Sequence, residues 1–279
     1  MSLSIGVIGC GTIASAIVTG LATQTSDPEN LISKFHISER SKTKSSALVS
    51  RFGSDKIVTY GEDDSQKILD NSDIVFLCLL PAQVSTALKS LTFEEEKHTL
   101  ISLVSTSTVA SLISLSNLPS EKVHKMICLP SVATHQGTCL LTPPSETINK
   151  FLTPLGACID CPTEKVLTTM MVPACLMGPF YAHLKHVTDY LVSNGVEEQA
   201  AGLYTGRAYL GMAQDAARHC DRVGYFQELV EEQTPGGINA MSIDNCVNVG
   251  VFEGYTQAYD GVLERLEGRG DGKRGEKKE

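Results

Sequence analysis

The chain has 279 residues and a formal net charge of −9, and its 42% apolar and 20% charged residues are typical of a globular protein of two domains. The negative charge excludes a basic nucleic-acid footprint, and no apolar run reaches the length of a membrane-spanning helix. No signal or transit peptide precedes the first strand pattern, so we expect a cytoplasmic protein without nucleic-acid or membrane partners.

Short apolar runs alternate with helical patterns over residues 1–162, and this alternation predicts a doubly wound parallel sheet of the Rossmann type. The predicted strands are 4–8, 34–38, 56–60, 73–80, 99–104, 123–128 and 157–161. The predicted helices are 12–24, 41–52, 64–71, 81–91 and 108–115. The longest apolar run, from Ile74 to Leu80, is typical of a strand that is buried on both faces.

The first strand pattern runs directly into Gly9-x-Gly11-x-x-Ala14, and an apolar helix pattern follows. This order of strand, glycine turn and helix is typical of a dinucleotide-binding site. Gly9 permits the tight turn, Gly11 lets the backbone approach a pyrophosphate, and free N–H groups at the helix start face the anion. We therefore predict a dinucleotide cofactor held by Ile8, Gly9, Gly11, Thr12 and Ile13. The alternative is a similar turn that binds no dinucleotide.

The second strand ends in Ser38-Glu39-Arg40-Ser41, at the position that selects the cofactor. An acidic residue here takes the ribose hydroxyls of NAD, whereas a nearby arginine takes the 2′-phosphate of NADP. Because Ser38 occupies the ribose-facing position and Arg40 can hold a phosphate, we predict NADPH as the cofactor. NADH stays an alternative, since Glu39 opposes a phosphate if its side chain points inward, and both charges can also be solvated.

Residues 163–266 show helical patterns without a convincing strand, which predicts a second, all-helical domain. The predicted helices are 168–193, kinked at Pro173 and Pro179, and 199–223, 226–232 and 239–266. Thr234-Pro235-Gly236-Gly237 predicts a turn before the last helix. Residues 267–279 are rich in glycine and charge and predict a disordered tail.

Metal-ligand patterns are weak in this chain. Cys158 and Cys161 form the only close cysteine pair, and no second pair completes a zinc site. His183 and His186 lie three residues apart on a predicted helix, but no third ligand is near them in sequence. We therefore expect nine reduced thiols and no metal site.

Five motifs follow one another along the chain: the opening Ile5-Gly6 to Ala16-Ile17 run, Ser38-Glu39-Arg40-Ser41, the strand from Ser72 to Pro81, Gly178-Pro179-Phe180-Tyr181, and Thr234-Pro235-Gly236-Gly237. In this order they resemble the motifs of the pyrroline-5-carboxylate reductase family. The resemblance covers nearly the whole chain before the tail, and the last two motifs carry it most specifically because they fall within an all-helical half.

This resemblance implies NADPH-dependent reduction of a cyclic imine, 1-pyrroline-5-carboxylate, to L-proline, and so a role in proline biosynthesis. It also implies a homodimer or a higher homo-oligomer, because the family exchanges helices across a dimer and forms its active sites between subunits. Hydride transfer to a protonated imine needs alignment more than acid–base groups, and this agrees with a sequence that lacks paired carboxylates at motif spacing.

The resemblance assigns further residues to the two halves of the site. The backbone N–H groups of Gly236 and Gly237 would hold the substrate carboxylate, and Asn239 would be the catalytic contact unless it only caps the last helix. The remaining substrate residues are Ile238 and Ser131. The remaining cofactor residues are Ser65, Cys78, Leu79, Pro81, Val104 and Ser105.

The chain departs from the family pattern at three places. The family has lysine at Leu80, asparagine at Ser131 and usually threonine at Asn239. The family's carboxylate before the glycine turn has no clean match, and Asp221 is only a candidate for it. These changes fall where substrate and nicotinamide should meet. They favour one alternative, a reductase of a different cyclic imine or ketimine. A second alternative, of a different class, is an NADP-binding sensor or assembly protein without turnover.

Overall fold

The computed structural model of the chain describes residues 3–23, 32–39, 41–61 and 63–271. These residues form two units that divide between Met171 and Val172. The division comes later than the boundary predicted after residue 162, because the helix Glu164–Met170 packs against a strand of the first unit.

Eight strands form one sheet in the first unit. Their bounds are β1 Leu3–Ile8, β2 Ile32–Ser38, β3 Ile57–Tyr60, β4 Ile74–Leu77, β5 Thr99–Ser102, β6 Val123–Cys128, β7 Gly137–Thr142 and β8 Gly156–Asp160. The spatial order is β3-β2-β1-β4-β5-β6-β7-β8, and β1 to β6 are parallel. β7 pairs antiparallel with β6 and parallel with β8, so the last two strands run opposite to the first six.

Over the described ranges, seven α-helices belong to this sheet unit and five to the second unit. In the sheet unit they are α1 Thr12–Thr23, α2 Lys42–Phe52, α3 Ser65–Asp70, α4 Pro81–Lys89, α5 Val109–Ser116, α6 Glu146–Leu152 and α7 Glu164–Met170. In the second unit they are α8 Met177–Ser193, α9 Glu198–Ala217, α10 Tyr225–Glu231, α11 Ile238–Asn248 and α12 Val251–Leu266. The predicted Rossmann-type sheet followed by a helical domain is therefore confirmed.

The centre of the sheet is buried on both faces, as the apolar strand β4 illustrates. Ile74 and Phe76 pack into a core with α1 and α2, whereas Val75 and Leu77 pack into a second core with α4 and α5. Successive side chains of a strand point to opposite faces, so a continuous apolar run supplies both cores. β1 lies between β2 and β4, and the chain reverses its winding direction there, which opens a crevice at the carboxyl ends of the strands.

Two elements of the first unit were absent from the sequence prediction. β7 and α6 lie between the predicted strands 123–128 and 157–161. Gly137, the first residue of β7, is required by packing, because a Cβ there would lie 2.5 Å from Val132 Cγ1. Neither the close approach nor the antiparallel pairing leaves a pattern in the local sequence.

Two predicted helices of the second half are each divided in the structure. The pattern 168–193 spans the end of α7, a 3-10 helix at Pro173–Leu176 and α8, because Pro173 has no N–H to continue the ladder. The prediction of a single helix over 239–266 is wrong. Gly250 has φ +72° and separates α11 from α12. Residues 272–279 of the predicted disordered tail lie outside the described residues.

Candidate functional site

The glycine turn joins three strand ends. Gly9 has φ +96°, and its N–H donates to Ser38 Oγ at 2.9 Å, while the Cys78 N–H donates to the Ile8 carbonyl at 2.8 Å. Ser38 is buried at the end of β2, so its predicted ribose-facing hydroxyl also fixes the turn. These contacts hold the turn at the crevice between β1 and β4.

Gly11 faces open space at the start of α1. A Cβ at Gly11 would meet no atom within 4 Å. The first α-helical bond of α1 runs from the Ser15 N–H to the Gly11 carbonyl at 3.0 Å, so the N–H groups of Thr12, Ile13 and Ala14 have no acceptor within the helix. Open space beside free N–H groups fits the pyrophosphate of a dinucleotide.

Two cavities flank this turn in the first unit, and Leu79 lines both. The larger has a volume of about 680 Å³ and is lined by Ile8, Gly9, Ser38, Asp63, Ser65, Gln66, Leu79, Ala82, Gln83, Thr86, Ala87, Ser90 and Leu91. The smaller has a volume of about 270 Å³ and is lined by Gly11, Thr12, Ile13, Ala14, Cys78, Leu79, Leu103, Met126, Ile127 and Cys128. The larger lies on the β2 side, where adenosine binds in this fold, and the smaller is on the nicotinamide side.

Most predicted cofactor residues of the described chain line one of these cavities, but three do not. Val104 is buried in the core formed with α4 and α5, Ser105 is exposed beyond β5, and Pro81 is exposed in the first turn of α4. Leu103, one residue before Val104, faces the smaller cavity together with Met126. The alternation of side chains along β5 and β6 is the signal that identifies these two residues.

A lysine that the sequence prediction missed lies at the start of α1. Lys44 on α2 donates from Nζ to Thr12 Oγ1 at 3.1 Å. Thr12 is the first residue of α1 and lines the smaller cavity. Lys44 thus adds a positive charge to the anion-facing end of the helix. Arg40, the predicted 2′-phosphate ligand, lies outside the described residues.

Two thiols next to the glycine turn, those of Cys10 and Cys78, have raised pKa values. Burial raises the pKa of Cys10, and the charge of Lys44 offsets only part of that effect. Burial also raises the pKa of Cys78 far above its ordinary value, and the nearby Cys10 adds to the shift. Because the thiolate is the reactive form, these side chains shape the cleft and do not act as nucleophiles near neutral pH.

The second unit contains a cavity at the Pro-Gly-Gly turn. It has a volume of about 450 Å³ and is lined by Glu232, Gln233, Thr234, Gly237, Ile238 and Asn239. Gly236 has φ +74°, and a Cβ at Gly237 would lie 2.9 Å from the Thr234 carbonyl oxygen. The turn therefore needs both glycines, the first for its backbone conformation and the second for space.

Asn239 lies in the first turn of α11 and does not cap the helix. The N-cap is Gly237, which has no side-chain cap, so the capping alternative for Asn239 is wrong. The first α-helical bond runs from the Met241 N–H to the Gly237 carbonyl at 3.1 Å, which leaves the N–H groups of Ile238, Asn239 and Ala240 without intrahelical acceptors. The Asn239 side chain donates instead to Gln233 Oε1 at 3.1 Å.

The other substrate candidates lie elsewhere. Ser131 is exposed on a 3-10 helix, Pro130–Thr134, that follows β6. This segment is held against α1 by His135, which contacts the Gly20 carbonyl through Nε2 at 3.1 Å. Leu80 is exposed at the N-cap of α4. Asp221 is exposed after α9 and does not line the cavity at the turn.

No group of three or more His, Cys, Asp or Glu residues that could hold a metal ion is present among the described residues. His183 pairs with the Tyr209 hydroxyl at 2.5 Å, and Cys158 and Cys161 are free thiols. Within the same residues, every helix is too short or too polar to cross a lipid bilayer.

Comparisons with known proteins agree with a nucleotide-binding first half. A family model described as NADP oxidoreductase coenzyme F420-dependent matches residues 4–106. A pyrroline-5-carboxylate reductase of Corynebacterium melassecola is 30% identical over 89 residues, which are 32% of this chain and 30% of that protein. The match thus spans less than a third of the length of the curated relative.

Solved structures extend the similarity of fold to the whole chain. A pyrroline-5-carboxylate reductase from Coxiella burnetii superposes with a TM-score of 0.77 at 18% identity, over 97% of this chain and 100% of that chain. A pyrroline carboxylate reductase from Plasmodium falciparum, solved with NADP bound, gives a TM-score of 0.72 at 16% identity, over 96% of this chain and 98% of that chain. At these low identities, the superpositions establish a shared fold and nothing more.

Proposed function

We propose that this chain reduces a cyclic imine with NADPH. The fold and the comparisons support this proposal, because they point to a pyrroline-5-carboxylate reductase-like NADP oxidoreductase family. Our first choice of substrate is 1-pyrroline-5-carboxylate, with L-proline as the product of a step in proline biosynthesis. The observation that carries the proposal is the cleft at the glycine turn, where open space over Gly11 adjoins free helix N–H groups.

The first unit would bind the cofactor. NADPH supplies a hydride from C4 of its nicotinamide ring, so the protein has to hold that ring and exclude water. The N–H groups of Thr12, Ile13 and Ala14 would hold the pyrophosphate, and Lys44 would add a charge. The apolar side chains of Leu103 and Met126 would line the nicotinamide side.

The second unit would bind the substrate. Its carboxylate would lie at the start of α11, where the N–H groups of Ile238, Asn239 and Ala240 have no intrahelical acceptors. The hydride adds to the imine carbon, and the C=N electron pair moves to the nitrogen. A protonated imine thereby becomes a neutral secondary amine without a further proton. The chain accordingly needs an acceptor for the ring N–H more than it needs a general acid.

We also propose that a second copy of this chain covers the helical unit. No residue of α8 or α11 is buried, although both helices lie wholly within the described residues. Large apolar side chains are exposed here, including Ile238 at 80% and Val249 at 77%. Amphipathic helices without a buried face need a partner, and a homodimer or a higher homo-oligomer of this chain would supply it.

Turnover of defined imines tests the proposed function. We expect the purified protein to oxidise NADPH with 1-pyrroline-5-carboxylate and to do so more slowly with the six-membered homologue. The measurement is the loss of NADPH absorbance together with chromatography of the amine product. Faster turnover of the six-membered ring would identify a different imine reductase. Tight NADPH binding without turnover of any imine would contradict the enzyme proposal and favour a sensor or assembly protein.

Arg40 and Lys44 should act on different parts of the cofactor. We expect Arg40→Ala to weaken NADPH binding by about 1–3 kcal/mol, the contribution of a charge-assisted bond, with little change for NADH. Lys44→Ala should weaken NADPH and NADH alike, because Lys44 contacts Thr12, where the pyrophosphate that both cofactors share would bind. Calorimetric titration measures both. If Arg40→Ala weakens both cofactors equally, Arg40 does not hold the 2′-phosphate.

A further inference from the structure

Two amide side chains form a chain of hydrogen bonds beside the Pro-Gly-Gly turn. Gln233 Nε2 donates to the Leu229 carbonyl at 2.9 Å, and Asn239 Nδ2 donates to Gln233 Oε1 at 3.1 Å. Leu229 lies in the last turn of α10, where carbonyl groups have no intrahelical donor. Both Gln233 and Asn239 line the 450 Å³ cavity at the turn.

This chain of bonds fixes which way each amide points. A backbone carbonyl only accepts, so the NH₂ group of Gln233 must face Leu229 and its oxygen must face Asn239. The Asn239 NH₂ group must then face that oxygen, and its own oxygen, Oδ1, points away from Gln233. The Leu229 carbonyl thus sets the orientation of Asn239 through Gln233.

We propose that Gln233 is a positioning residue, which orients Asn239 so that Oδ1 accepts the ring N–H of a protonated cyclic imine. The inference rests on the proposed function and adds a specificity-determining residue to it. The orientation decides the chemistry that the site accepts. An oxygen facing the ring favours N–H donors, whereas an NH₂ group there would face the N–H with a second donor.

The orientation should also change the proton affinity of the bound imine. A hydrogen bond to the charged form of a group favours that form, so Oδ1 raises the pKa of the imine nitrogen in the complex. The protonated imine is the form that accepts hydride. Wild-type protein should therefore keep its turnover number, kcat, to higher pH than a variant in which Asn239 rotates freely.

Binding of two matched ligands tests the orientation without turnover. L-Proline offers N–H donors at the ring position where tetrahydrofuran-2-carboxylate has an acceptor oxygen. With NADP⁺ present, we expect the wild-type protein to favour L-proline in calorimetry. Gln233→Leu should reduce this preference about 5- to 10-fold, the range of a single neutral hydrogen bond. The control is Gln227→Leu on α10, the helix that precedes Gln233, because the Gln227 amide pairs with Glu231 and not with the turn.

Kinetics provide a second readout. Gln233→Leu should lower kcat/KM for the imine about 5- to 10-fold and move the alkaline limb of the kcat profile to lower pH. In an Asn239→Ala background the same change should have no further effect, because its action passes through Asn239. A purely structural loss would weaken both ligands equally and persist in the Asn239→Ala background.

The outcomes separate this inference from the proposed function. If the wild type reduces the imine but Gln233→Leu changes neither the ligand preference nor the pH limb, the orienting role is wrong and the function stands. If the wild type binds neither ligand and reduces no imine, the proposed function fails, and the inference fails with it. The inference and the proposed function are both supported if Gln233→Leu reduces the preference for L-proline and has no further effect in the Asn239→Ala background.

Discussion

Gly9→Ala is expected to destabilise the fold, whereas Gly11→Ala is expected to spare the fold and impair dinucleotide binding. At Gly9 the backbone has φ +96°, and a Cβ would lie 2.4 Å from the Cys78 carbonyl oxygen. Backbone strain of about 1–3 kcal/mol and a forced shift of β4 of similar cost should lower the free energy of unfolding by about 3 kcal/mol. Urea denaturation measures this loss as a lower midpoint.

At Gly11 the same methyl group meets no protein atom within 4 Å. The free energy of unfolding should therefore stay unchanged or rise by about 0.4–1 kcal/mol, because alanine restricts the unfolded chain. The methyl group would occupy the approach of the pyrophosphate to the backbone. Losing one charge-assisted bond, about 1.5–3 kcal/mol, should weaken NADPH binding on the order of 10- to 100-fold. Equal destabilisation by both variants would contradict this division of roles.

The glycine turn could be predicted from sequence because each requirement is local. Gly9 supplies the backbone conformation within the turn, and the apolar run before it and the helical pattern after it fix the adjoining elements. The apolar strand β4 was predictable for the same reason. In both cases a few neighbouring residues contain the physical cause, and the prediction agrees with the structure.

Contacts between distant segments could not be predicted in this way. Lys44 reaches Thr12 only because α2 packs beside α1, and no spacing between the two residues indicates this. The pairing of Gln233 with Asn239 depends on the path of the turn between them. Gly250 differs from these cases because its signal is local. A glycine can end a helix, but the apolar helical pattern on both sides of Gly250 led to the prediction of one continuous helix.

A buried ion pair in the first unit is another contact between distant segments that the sequence does not predict. Lys125 on β6 has a side chain only 5% exposed, and its Nζ lies 3.5 Å from Oε1 of Glu164, the first residue of α7. The same Glu164 oxygen accepts the Val109 N–H at the start of α5, at 3.1 Å. One carboxylate therefore ties a strand to two helices that are distant in sequence. Burial lowers the pKa of Lys125, and the charge of Glu164 partly opposes this shift.

Glu164→Ala is expected to lower the free energy of unfolding by about 2–3 kcal/mol. Removing one partner of a buried pair leaves an unpaired charge at a cost of about 3–5 kcal/mol, and the 34% exposure of the Glu164 side chain reduces that cost. Denaturant titration near neutral pH measures the change. The matched variant, Lys125→Met, removes the more deeply buried charge and fills its space. Glu164 then stays partly exposed and still accepts the Val109 N–H, so stability should change by less than about 1 kcal/mol.

The pH dependence distinguishes an unpaired lysine from a simple loss of packing. A lysine with a lowered pKa in the folded state costs stability while it is protonated. This cost declines as the pH rises from the lowered pKa towards the ordinary value, about 10.4, because the unfolded chain then binds more protons than the folded one. The deficit of Glu164→Ala should therefore shrink at alkaline pH, and in the Lys125→Met background it should be smaller and independent of pH. A deficit that is equally large in both backgrounds would show that Glu164 stabilises the fold through Val109 alone.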